Sequence, residues 1–139
     1  MGYSNHWNVY GDWTPKEWEL ITEFYKHIKT MGSMYCPRII SDETESHNMI
    51  QFNGADGVEE ERCESFHIYK KGYSAAYDVF PGQQEEYKTK NGCTFRFCKT
   101  NRKDYDVVVW AMLSFMHTVN ASKIEVSNGD GVTLERVPQ

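Results

Sequence analysis

A chain of 139 residues is long enough for one domain with its own core and too short for two comfortable ones. With 40% hydrophobic and 25% charged residues it reads as a globular protein, and its 14% aromatic content supplies a dense core with rings to spare for a ligand. A formal net charge of −5 argues against nucleic acid as a partner of the whole surface, so any anion site must be a local island.

The first residues, Met1-Gly2-Tyr3-Ser4-Asn5-His6, carry neither the basic nor the apolar region of a signal peptide. Tyr3 and His6 suit a myristoylation signal at Gly2 poorly. The longest apolar run, residues 107–113, is too short to span a bilayer, and the expectation is a cytoplasmic protein without a membrane partner. A first strand is predicted over residues 3–10, where Tyr3 and Trp7 share a face, followed by a Gly11-Asp12 turn. Thr14-Pro15-Lys16-Glu17 is a helix start, with Thr14 as N-cap, Pro15 in the first helical position and Glu17 closing a capping box. The helix behind it presents Trp18, Ile21, Tyr25 and Ile28 at helical spacing, widened by Leu20 and Phe24, and Gly32 is its expected stop.

The middle of the chain reads as strands: residues 37–40, 48–52 before an Asn53-Gly54 turn, 64–69, 75–80 and 94–98. Residues 57–62 form an acidic loop and residues 82–92 a polar one. A second helix is expected near residues 103–120, apolar almost all round and therefore central. Residues 124–127 and 132–137 form a hairpin around Asn128-Gly129-Asp130-Gly131. The predicted fold class is α+β, a mainly antiparallel, twisted sheet packed with two α-helices in a single domain, residues 1–139.

The four cysteines, Cys36, Cys63, Cys93 and Cys98, contain no CxxC pair and read as reduced core or strand residues. No metal-ligand spacing is present among them and the histidines, so neither a metal nor a cofactor is expected. The most informative segment is Phe95-Arg96-Phe97-Cys98-Lys99-Thr100-Asn101-Arg102-Lys103-Asp104-Tyr105-Asp106. It places Arg96, Lys99, Arg102 and Lys103 where a strand ends and a helix begins. A helix N-terminus offers unpaired N–H groups and a partial positive charge, so cations beside it favour a bound phosphate or carboxylate, with Thr100 as a donor. Surface ion pairing with Asp104, Asp106 and the acidic loop is an equally good reading of the same charges. The segment is not a phosphate-binding glycine loop. Glu64-Ser65-Phe66-His67 holds acid, hydroxyl and imidazole, but Ser65 and His67 face away from Glu64 on a strand, and no nucleophile elbow accompanies them. No catalytic residue is assigned.

Met1-Gly2-Tyr3…His6-Trp7, Thr14-Pro15…Glu17-Trp18, Phe52-Asn53-Gly54, Glu64-Ser65-Phe66 and Phe97-Cys98-Lys99-Thr100…Lys103…Tyr105-Asp106 occur in that order. Together they resemble a family of small, mostly uncharacterised proteins of bacteriophages and bacterial genomes, from Met1 to about His117. Val126-Ser127 and an Asp-Gly turn resemble that family's ending, from which Asn128-Gly129 departs. The resemblance implies a phage or mobile-element accessory protein acting in host cytoplasm.

The leading expectation is a binding protein for a small anionic, nucleotide-like ligand, of the kind that sequesters a host immune signal. Lys99, Arg96, Arg102 and Lys103 are expected to hold phosphate, and Thr100 and Asn53 to donate hydrogen bonds. Tyr3, Trp7 and Tyr105 are expected to supply rings, and Glu64 and Ser65 to stand near them if those strand ends are neighbours. One alternative is a protein–protein inhibitor or adaptor whose acidic residues 43–45 and 59–64 mimic nucleic acid before a host protein. Another is a nucleotide-directed phosphoesterase using His6, Glu64 or His67. A homo-oligomer whose interfaces complete the site is compatible with each.

Overall fold

The computed structural model describes residues 3–31, 39–41, 48–54, 63–74 and 83–138. Its elements run β1 (Ser4–Val9), α1 (Pro15–Met31), β2 (Ile39–Ser41), β3 (Met49–Gly54), β4 (Phe66–Tyr69), α2 (Gln83–Asn91), β5 (Thr94–Lys99), α3 (Asp106–Val119), β6 (Ile124–Asn128) and β7 (Thr133–Leu134). This is an α+β fold with two antiparallel sheets. The larger sheet has the order β5-β1-β6-β7 and the smaller the order β2-β3-β4.

β1 is the spine of the larger sheet. Asn5, Trp7 and Val9 are buried on one face, while Ser4, His6 and Asn8 occupy the other and are only partly covered. That alternation is the signature of a strand with one face on a core. β5 and β6 lie on either side of it in register, with His6 opposite both Phe97 and Ser127.

α1 forms where its start signals predict. Thr14 N–H donates to Glu17 Oε1 at 2.9 Å and Glu17 N–H donates to Thr14 Oγ1 at 3.2 Å, the reciprocal bonds of a capping box. Trp18, Ile21, Tyr25 and Ile28 are buried. Leu20 is a correction to the predicted stripe, being 49% exposed, because two helical residues from Trp18 rotate it about 200° round the axis. α3 buries Val108, Val109, Met112, Leu113 and Met116 and leaves Val107 60% exposed, so it is central without being enclosed all round. The two helices meet through Phe24 and Phe115, whose rings stack at 4.1 Å.

A run of rings then joins helix to both sheets: Tyr25 against Phe52 at 5.7 Å, Phe52 against Phe66 at 5.0 Å, and Phe66 against Trp7 at 5.3 Å. Each buried aromatic removes large apolar area from water and adds edge or offset ring attraction. The sheets are also stitched by Trp13 N–H donating to the Lys70 carbonyl, Thr94 Oγ1 to the Gly72 carbonyl and Glu64 N–H to the Lys99 carbonyl. Near the first of these, Asp12 accepts from the backbone of Tyr73 and Ser74, and Lys123 Nζ donates to the Asp12 carbonyl and to Glu17.

Three further expectations are corrected. The chain has three described helices, not two: residues 83–91, read from the sequence as polar loop, form α2. Its signal is faint because it is polar on nearly every side and is anchored chiefly through Tyr87, whose ring tilts against Phe95 at 5.9 Å. The single sheet is two. Asn53 and Gly54 do not form a turn but end β3, paired with Ile40 and Ile39, while Asn53 Oδ1 accepts from the Gly54 N–H in a local bond that mimics turn chemistry. The strand expected at 75–80 and the acidic stretches at 43–45 and 57–62 lie outside the described residues.

Candidate functional site

The β1 start, the β5 end, the α3 start and the approach to β4 meet at one end of the molecule, and most of the residues singled out from the sequence stand there. The Tyr3 carbonyl accepts from the N–H groups of Thr100 and Asn101, both at 3.0 Å. Thr100 is fully buried, and its Oγ1 donates to Asp106 Oδ1 at 2.5 Å, as does Asn5 Nδ2 at 2.7 Å. The N-terminal turn of α3 therefore holds an anion of its own, the Asp106 carboxylate, fixed by two buried donors. Glu64 lies beside Lys99: its N–H donates to the Lys99 carbonyl, and its Oε1 accepts from the Lys99 N–H at 2.9 Å. The Tyr105 phenol donates to the Glu64 carbonyl at 2.6 Å, and burial pushes that phenol far above its usual range. Asn53 Nδ2 donates to the Cys63 carbonyl at 2.8 Å and to Ser65 Oγ at 3.1 Å. Trp7 is enclosed in the core.

The four cations separate. On β5, residues 94, 96 and 98 face the core and residues 95, 97 and 99 face outward. Arg96 accordingly turns inward, its guanidinium 5.4 Å from the Tyr69 ring. Arg102 lies 4.1 Å over the Tyr3 ring and pairs with Asp130 at 2.7 Å. It follows Asn101, and both residues adopt left-handed backbone (φ 59° and 52°), a conformation that costs on the order of 1–3 kcal/mol for residues other than glycine. Gly129 packs against the other part of this stack; a Cβ there would stand 2.7 Å from the Tyr3 ring. Lys103 is half-buried and Lys99 exposed, and neither ammonium has a carboxylate within 4 Å among the described residues.

Lys99 instead belongs to the outward face of the larger sheet. Strand register builds that face row by row: Lys99 beside Ser4; then Phe97, His6, Ser127 and Thr133 across all four strands; then Phe95, Asn8 and Glu125. Phe97 is 54% exposed, and His6 stacks diagonally on Phe95 at 5.9 Å. The third row is closed over by α2, since Tyr87 packs on Phe95 and its phenol donates to Asn8 Oδ1 at 3.2 Å. Asn8 Nδ2 in turn donates to Glu125 Oε1 at 3.3 Å. The result is an open shelf of ring and hydroxyl surface with a lysine at one end and a tyrosine–carboxylate wall at the other.

Other groupings are internal. Cys93 is buried and receives the phenols of Tyr10 and Tyr87; burial outweighs those bonds and raises the thiol, as it pushes the Cys98 thiol up to about 12. Both favour the unreactive thiol form. His117 Nε2 bonds to the Glu135 carbonyl at 2.7 Å near the end of α3. Ser65 bonds to Asn53, while His67 stacks near Tyr69 at 6.5 Å. Among the described residues no group of three metal-ligating side chains converges, and no helix is long and apolar enough to cross a membrane.

Phe97, Ser127 and Thr133 were not singled out from the sequence as site residues, although the signal for Phe97 was present. Period-two alternation puts Phe95, Phe97 and Lys99 on one face of a strand, whereas counting positive charge along the segment mixes two faces. Comparison with protein-family models, with curated proteins and with solved structures found no match.

Proposed function

We propose that the protein binds a small anionic, nucleotide-like ligand on the outward face of the larger sheet, and that it serves as a phage or mobile-element accessory protein that withholds such a signal from its host. The observation that carries the reading is the row Phe97–His6–Ser127–Thr133 lying one step from the Lys99 ammonium, which has no carboxylate partner among the described residues. A half-exposed phenylalanine beside an imidazole offers a stacking surface for a flat ring. Serine and threonine hydroxyls both donate and accept, which suits the polar edge of a base or sugar. An exposed ammonium on a molecule of net charge −5 attracts phosphate locally. The polar cluster around Asp106 contributes indirectly: it fixes the end of β5 and thereby the backbone that carries Lys99.

The test is a thermal-shift screen of the purified protein against nucleoside mono-, di- and triphosphates, cyclic nucleotides and ADP-ribose-type compounds. It is paired with chromatography of ligand recovered after heat denaturation. A ligand that binds only the folded state raises Tm and is released unaltered. Lys99→Ala is expected to weaken binding by about 1.5–3 kcal/mol, the range for a charge-assisted contact. No shift across the panel, or a shift that Phe97→Ala and Lys99→Ala both leave intact, removes the proposal; an altered ligand makes the protein an enzyme.

A further inference from the structure

We infer that the joint between the two sheets is a binding site for one buried water molecule, held by the Trp13 indole and the Tyr69 carbonyl in a notch where Gly72 has no side chain. The site is independent of the ligand reading and lies on the inward side of β1 and β5. A cavity there is bordered by Val9 of β1, Arg96 of β5 and Tyr69 of β4, with Trp13 and Gly72 from the connections beside them. The cavity measures about 10 Å³, on the order of the space that admits one water and far below that for an organic ligand.

Trp13 is 3% exposed, and its Nε1–H meets no acceptor among the described residues. An indole N–H can only donate, and buried donors in native folds are almost always satisfied, by protein or by ordered water. Gly72 marks the place. It is buried without the left-handed backbone that would call for glycine. A Cβ on it would stand 3.7 Å from Trp13 Nε1, 3.3 Å from the Tyr69 carbonyl oxygen and 3.1 Å from Val9 Cγ1. That point is flanked by a donor and an acceptor. A water close to it accepts from Trp13 and donates to Tyr69, whose carbonyl oxygen has two lone pairs. Arg96, with its guanidinium 5.4 Å from the Tyr69 ring, and His67 border the same cavity and bring further polar groups to the water. A halide ion has no proton to give the carbonyl, so the mixed lining selects water. Trp13 N–H already donates to the Lys70 carbonyl and Thr94 Oγ1 to the Gly72 carbonyl, and the water adds a third link beside these two.

The test is water–protein NMR on the isotope-labelled wild type, with the Trp13 indole signal identified by its loss in Trp13→Phe. The indole N–H is expected to show a cross-peak to a long-lived bound water. Gly72→Ala places a methyl group in the notch and abolishes that cross-peak, its fold being checked by the remaining amide spectrum. A crystal structure of the wild type reads the same site without a variant: solvent density is expected within about 3.2 Å of both Trp13 Nε1 and the Tyr69 oxygen. The absence of an indole–water cross-peak, a cross-peak that survives Gly72→Ala, or density that misses either partner overturns the inference. A saturable shift of the indole signal when bromide replaces chloride overturns it too, in favour of a halide.

Discussion

β1 and β5 carry two surfaces that differ only in which of alternate residues they contain. On the inward side Asn5, Trp7, Thr94, Cys98 and Thr100 are buried, and their bonds and contacts are made within the protein. On the outward side Ser4, His6, Phe97 and Lys99 keep part of their surface open, and among the described residues no carboxylate pairs with the lysine. Both sides have aromatic rings and polar groups, so residue type does not distinguish them. What distinguishes them is access: the inward side chains are enclosed by the protein, and only those on the outward side can be reached by a partner.

That contrast can be broken first by stability measurements. Trp7→Ala removes the ring that meets Phe66 and should cost about 3–5 kcal/mol in urea unfolding, the range for emptying an aromatic core site. Asp106→Ala strands the buried donors of Asn5 and Thr100 and should cost about 2–4 kcal/mol. Acid titration probes the α1 start. Desolvation pushes the Glu17 carboxyl up, but bonds from Lys123, the Thr14 N–H and Asn120 prevail and hold it at about 2. A depressed carboxylate stabilises fully above its unfolded value, near 4.5, and that share is lost as pH falls from there through about 2. The loss should be on the order of 2–3 kcal/mol and should largely vanish in Glu17→Gln, followed by stability against pH. The smallest effects belong outside: Lys99→Ala should change stability by no more than about 0.5 kcal/mol and Phe97→Ala by less than about 1 kcal/mol, while both reduce ligand binding. If Phe97→Ala destabilises as much as Trp7→Ala, the distinction between the faces fails.

The elements with strong local chemistry were legible. Thr14, Pro15 and Glu17 fix the start of α1 without help from the rest of the chain, and the apolar run behind Asp106 identifies α3. What the sequence hid was decided by distant partners. α2 has little pattern of its own and is anchored through Tyr87 on Phe95 and Asn8, the latter 79 positions away. Asn53-Gly54 has the composition of a turn but is held as strand by pairing with Ile40 and Ile39. At the candidate site, charge density drew the reading to Arg96, Lys99, Arg102 and Lys103 as a group. Strand alternation sends Arg96 to Tyr69, and Asp130 claims Arg102, a partner 28 residues on that no local pattern announces.

The way Glu64 clasps Lys99 has a consequence for how the molecule behaves in company. With its N–H and its carboxylate Glu64 occupies both main-chain groups of Lys99, as a neighbouring strand would, and Thr94 at the opposite end of β5 is tied to Gly72. The far margin of the same sheet is β7, a strand of two residues. The β7 border is therefore too short, and the Lys99 end of the β5 border already occupied, for another chain to add itself there and propagate a fibre. A protein with an open aromatic shelf needs such protection, because rings left uncovered for a ligand would otherwise bring copies together beside a ready template for cross-β growth.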